Sequence, residues 1–149
     1  MQIFLCFMRP TKTEYYLKIA EAVATRSTCL HQQYGAILVK DDEIIATGYN
    51  GSPRGEANCC DCGCYRDKAE KPIDPSAAVH GSKYGLCVAV HAEQNTLLSA
   101  RRCDMKGSTL YLSSLDPSNI PEPCNICNRM LKNAGVAKIV TKFYERDII

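Results

Sequence analysis

No excess of either charge marks this sequence. Its 149 residues carry a formal net charge of +2. They contain no dense run of Lys or Arg, which argues against a nucleic-acid-binding role built on phosphate contacts. No stretch is long and apolar enough to span a membrane as a helix. A secretory signal is also missing. Residues 1–8 are mostly apolar but have no basic residue ahead of the apolar run and no small-residue cleavage site. They read as an apolar N-terminal extension, with Met8 as an alternative start. Neither an internal repeat nor a low-complexity linker divides the chain. A chain 46% hydrophobic and 23% charged is expected to form one soluble domain over 1–149 with a real core.

Cysteine, by contrast, is abundant, with ten residues. In a small secreted protein that number would suggest disulfides. Here several lie in short-spaced groups of the metal-ligand type. The expectation is a reducing cytoplasm, with thiolates on zinc and Cys6 and Cys103 as free thiols.

Helical spacing of Tyr16, Ile19, Ala20, Val23 and Ala24 predicts a helix over 14–26, capped by Thr11 or Thr13. Two short apolar runs, 35–39 and 44–47, flank Lys40-Asp41-Asp42-Glu43 and predict a β-hairpin. Residues 54–84 show no periodicity and hold Cys59, Cys60, Cys62, Cys64 and His80. A metal cross-link would explain so long an irregular stretch in a compact domain. A helix over 86–100 follows, then a strand over 109–112 and a loop over 113–123 with three prolines. A helix over 124–134 should stop at Gly135, and a last strand runs over 136–141. This order predicts an α/β fold, one sheet with helices packed on its faces.

Two motifs carry chemistry. His91-Ala92-Glu93 opens one helix, and Pro123-Cys124-Asn125-Ile126-Cys127 opens another. One imidazole and two thiols hold zinc by three protein ligands and leave a fourth position for water, the mark of a catalytic site. A helix N-terminus favours the thiolates that zinc requires. Glu93 is near enough to serve that water without occupying the metal. Either motif alone is weak: His91 could be a hydrogen-bonded core histidine, and the cysteine pair a redox couple or half of a structural site.

Together the motifs resemble the zinc-dependent cytidine and deoxycytidylate deaminase superfamily, whose H-x-E…P-C-x-x-C pattern is well defined. Within it the resemblance is to the deoxycytidylate (dCMP) deaminase branch, including its competence-operon relatives. Arg26-Ser27, Gly35-Ala36, the segment 48–53, Asn58-Cys59-Cys60-Asp61, His91 to Asn95 and Asn133 to Val136 share in it, so it covers about 8–140.

The resemblance implies a three-layer α-β-α fold with a mixed sheet of four to five strands. It implies hydrolysis of dCMP to dUMP, with His91, Cys124 and Cys127 as zinc ligands and Glu93 as proton shuttle. It implies Asn50 on the sugar, Ala92 on the base and Arg26 on the phosphate; Ser27, Arg54 and Lys83 are further phosphate candidates by residue chemistry, although Arg54 and Lys83 read more readily as solvated surface residues. A second, structural zinc is implied at Cys29, Cys59, Cys64 and Cys87, with Cys60, Cys62, His80 and His31 as competing ligands. The implied assembly is a homo-oligomer.

Three departures stand out. The 113–123 loop is longer than the family's usual link. The family's later helix and fifth strand are expected to be absent. Thr96 stands where a small alanine is often found. The rivals are a deaminase of another cytosine or purine substrate and a zinc-stabilised, non-catalytic competence-associated module.

Overall fold

The computed structural model describes residues 8–68 and 86–149. Expectations that fall on Cys6, His80 and Lys83 lie outside the described residues.

Helix α1, Lys12–Ala24, starts two residues before the apolar periodicity does, because Thr11 caps it. The Thr11 hydroxyl accepts from the Glu14 N–H at 3.2 Å, and the Glu14 carboxylate accepts from the Thr11 N–H at 2.7 Å. This reciprocal pair satisfies donors that a helix start leaves open. Strands β1, Tyr34–Lys40, and β2, Glu43–Tyr49, form the expected hairpin. Its two turn residues, Asp41 (φ 50°) and Asp42 (φ 67°), are both left-handed, which matches the twist of paired strands. Short helices α2, Cys59–Cys62, and α3, Tyr65–Lys68, follow.

Helix α4 spans Ala92–Ser99 and so starts later than the apolar run from Leu86 predicts. Val90 instead pairs antiparallel with Gly51: Val90 N donates to Gly51 O at 2.8 Å, and Gly51 N to Val90 O at 3.2 Å. That pairing uses the groups a helix would need. After the single turn α5, Arg102–Met105, come β3, Thr109–Ser114, α6, Asn125–Ala134, and β4, Lys138–Val140. Gly135 ends α6 in the left-handed conformation, as its position predicts.

A fifth strand, β5, Glu145–Asp147, corrects the expectation that the sheet ends near 141. Its three charged residues carry no apolar alternation to reveal it, and charge suits an edge strand. The order is β2-β1-β3-β4-β5, with β3 and β4 parallel and every other neighbouring pair antiparallel. The sheet is thus mixed, as expected.

Alternation along β1 and β3 divides two cores. Ile37, Val39 and Tyr111 face α1, where Tyr16 and Ala20 are buried. Ala36, Leu38, Leu110 and Leu112 face the other way, against Ala92 and Leu97 of α4 and Leu131 of α6. This is the three-layer arrangement. At Gly48 a Cβ would run into the α4 backbone at Ala92 and Thr96, so glycine there lets the helix lie directly on β2. Thr96 fills the remaining space and donates to Ala92 O at 2.7 Å.

Candidate active site

His91 and Cys124 are the N-caps of α4 and α6. The His91 N–H donates to the Gln94 side-chain oxygen at 2.9 Å, which fixes the helix start beneath the imidazole. The Cys124 sulfur accepts from the Cys127 N–H at 3.4 Å. Both helices pack on one sheet face, so their caps meet. His91 Nδ1 lies 3.6 Å from Cys124 Sγ and 3.5 Å from Cys127 Sγ. Tetrahedral zinc with ordinary Zn–N and Zn–S lengths separates its nitrogen and sulfur ligands by about 3.6 Å. The three donors therefore fit a zinc ion.

Glu93, only 5% exposed, places its carboxyl against the Cys127 thiol. Burial pushes the Glu93 carboxyl up from its ordinary value. Burial also raises the Cys127 thiol, and the neighbouring Glu93 charge adds to the effect. Two buried acids side by side, with the Cys124 thiol and the His91 imidazole next to them, suit a divalent cation, which reverses both shifts. The helix N-termini act in the same direction on the thiols.

The other predicted site residues divide. Ala92 is buried in the first turn of α4. Asn50, 7% exposed, is largely committed to the fold. Its Oδ1 accepts from Ser27 Oγ at 2.7 Å and Tyr34 N at 2.8 Å, and its Nδ2 donates to Gln32 O at 2.7 Å. An amide has two protons, and the second has no partner among the described residues, which leaves it for a ligand. These bonds bind 27–34 to the end of β2, and Gly51 carries the link on to Val90 beside His91. Arg26, exposed, sits at the edge of this stitched region, next to Ser27. Arg54 is exposed as well.

The predicted second metal group comes together only in part. One ligand atom each from His31, Cys64 and Asp67 lies within 4.8 Å of the others, and His31 Nε2 is 2.7 Å from Asp67 Oδ2. Cys59 is buried, which raises its thiol, and Cys64, Cys29 and Cys62 add to the rise from nearby. Cys87 is exposed. Asp67 escaped the sequence reading because carboxylates are common in such loops.

The 113–123 loop is pinned. Asn119 Nδ2 donates to Gln32 Oε1 at 2.8 Å and to the Tyr34 hydroxyl at 2.6 Å. Gln94, Asn119 and Asn128, the last donating to the Pro123 carbonyl just before Cys124, all support the site, yet no spacing rule singles them out. Two surface hollows, about 560 and 270 Å³, border Lys12, Tyr15 and Asp42, and Lys18, Ser113 and Lys142. Neither touches His91, so chemistry rather than volume locates the site.

Comparison with known proteins agrees. The cytidine and deoxycytidylate deaminase zinc-binding region matches residues 10–143. The chain is 39% identical to the deoxycytidylate deaminase of Mycobacterium phage D29, covering 89% of this chain and 94% of that one. It is 34% identical to the deoxycytidylate deaminase of Schizosaccharomyces pombe over 89% of its own length, but spans only 37% of that relative. Among solved structures it resembles the dCMP deaminase of cyanophage S-TIM5 in complex with dCMP and dUMP. The TM-score is 0.62 at 31% identity, covering 90% of this chain and 82% of that one.

Proposed function

The chain belongs to the cytidine and deoxycytidylate deaminase family, and from that premise we propose that it hydrolyses dCMP to dUMP and releases ammonia. The observation that carries this reading is the meeting of His91, Cys124 and Cys127 at zinc-ligand separations, with buried Glu93 against Cys127. A purely structural zinc site has no use for that carboxyl, which weighs against a non-catalytic module.

His91, Cys124 and Cys127 would hold a zinc ion. When bound, zinc supplies a nucleophilic water near neutral pH. Glu93 accepts a proton from that water and passes it to N3 of the cytosine ring as C4 is attacked. It then takes the remaining proton from the new C4 hydroxyl and delivers it to the 4-amino group, the C4–N bond breaks, and ammonia leaves as the C4 carbonyl forms. Water and dCMP thus yield dUMP and ammonia. Ala92 packs beside the base, the free Asn50 N–H meets the sugar, and Arg26 takes the phosphate as a guanidinium fork. The Ser27–Asn50 bond supports the last two assignments, because it brings both residues to one rim.

A second, structural zinc belongs to the same reading. The gathering of His31, Cys64 and Asp67 beside Cys59 supports it. The assembly is a homo-oligomer, for which the exposed Leu98 on α4 and Ile126 on α6 offer apolar contact. No described helix is long and apolar enough to cross a membrane. Thiolate ligands suit a reducing, cytoplasmic setting.

Ammonia release from dCMP, dCTP, cytidine, cytosine and adenosine tests the function. Turnover of dCMP above the others is expected, and preference for any other compound overturns the substrate. Metal analysis of the purified protein should give two zinc ions per chain, and one per chain removes the structural site.

A further inference from the structure

Three consecutive residues precede the first zinc thiol: Pro121, Glu122 and Pro123. Two are prolines with no backbone N–H, so they can be held only through their carbonyls and by packing. Both prolines are buried. Both carbonyls are taken, and the holding groups lead to one place. The Tyr144 hydroxyl donates to Pro121 O at 3.1 Å. Asn128 Nδ2 donates to Pro123 O at 2.7 Å, and Asn128 Oδ1 in turn accepts from Arg146 Nη2 at 2.6 Å. Arg146 also faces the Glu122 carboxylate at 3.8 Å.

Tyr144 and Arg146 are two apart at the edge strand β5, and strand alternation sends both side chains to one face. The intervening Glu145 goes the other way, to Lys138. Arg146 Nε is buried with no hydrogen-bond partner among the described residues. An orphaned guanidinium N–H is unfavourable, and only the bonds at the far end of the side chain offset it.

We propose that Arg146, with Tyr144, is a positioning residue for the zinc thiols: through Asn128 and the 121–123 carbonyls, β5 fixes where Cys124 and Cys127 sit. This rests on the zinc reading of the cluster and not on the identity of the substrate. Neither side chain need touch the metal. Groups one layer behind metal ligands typically change metal affinity by 10–100-fold.

The test times zinc release from the zinc-loaded protein into excess chromogenic chelator. The catalytic phase is the one missing from His91→Ala. Arg146→Ala should speed that phase about tenfold. Arg146→Lys, which keeps the charge near Glu122 but loses the fork, should fall between it and the native protein. Glu145→Gln, on the opposite face of the same strand, should leave the rate unchanged.

A residue that only stabilises the fold would shift the urea midpoint and leave the release phase at the native rate, and that result overturns the proposal. Should Arg146→Ala not fold, Tyr144→Phe decides, since it removes one hydroxyl. Faster release than in Glu145→Gln supports the proposal, and equal rates sink it. Altered release in a protein that never deaminates dCMP would refute the substrate and leave the positioning role standing.

Discussion

The two faces of the sheet are built from alternate residues of the same strands, yet they do different work. On the α1 face, Ile37 and Val39 meet Tyr16 and Ala20. The Tyr16 hydroxyl then reaches past the core to clip the hairpin tip, donating to Asp42 Oδ1 at 2.5 Å. Among the described residues, no buried side-chain nitrogen or oxygen on that face lacks a hydrogen-bond partner. On the opposite face, α4 and α6 rest on Leu38, Leu110 and Leu112 and bring two caps together. There a carboxyl and a thiol are buried side by side and pushed up by burial. The lesson is that packing alone explains the first face, whereas the second holds an arrangement unfavourable until a cation and a substrate arrive. Functional sites keep such unrelieved polarity.

The largest test of this contrast is Glu93→Gln. It should retain zinc and urea stability while kcat falls by about 10²–10⁴. Ammonia release beside metal analysis checks this, and retained turnover would remove Glu93 from the mechanism.

Next in size is a matched pair of truncations. Leu131→Ala on the α6 side and Ile37→Ala on the α1 side should each cost about 2–5 kcal/mol in urea unfolding. Only Leu131→Ala should also lower turnover per folded chain, because it loosens the helix that carries both thiols. Equal loss of turnover in both would erase the distinction.

The smallest effect is the Tyr16 clip. The hydrogen bond to Asp42 pushes the Tyr16 hydroxyl up to about 12, and burial adds to it. A raised pKa gives stability that is full below the ordinary value of 10 and disappears as pH rises towards 12. Asp42 has the reverse sign. The Lys12 hydrogen bond, then Tyr16, hold its carboxyl below 3.8, so its share is lost only as acid protonates it. Tyr16→Phe should lower Tm by about 2–4 °C near neutrality. That gap should close between pH 10 and 12, with turnover unchanged.

Much of this was legible in the chain. The 3.6-residue period marked α1, the Asp pair marked the hairpin, and two motifs that each open a helix marked the metal ligands. Three features were hidden, each for a physical reason. The apolar run from Leu86 reads as helix, but its backbone bonds go to Gly51. Strand β5 is wholly charged, so no periodicity declares it. The long 113–123 loop shows no periodicity that would hold it in place. Instead Asn119 and Tyr144 fasten it, through contacts distant in sequence that no local pattern encodes.

The Gly51–Val90 bridge has a consequence for how such a protein changes over time. It is a single rung, yet it closes a long excursion of chain immediately before His91. Lengthening an excursion closed at its base costs only about 0.6 kcal/mol per doubling. Material can therefore be added or deleted beyond the rung while the imbalance stops there, as a knot at the neck of a bag isolates its contents. Descendants of this sequence can lengthen the chain between the metal group that ends at Asp67 and the rung at Val90 while the imidazole keeps its place.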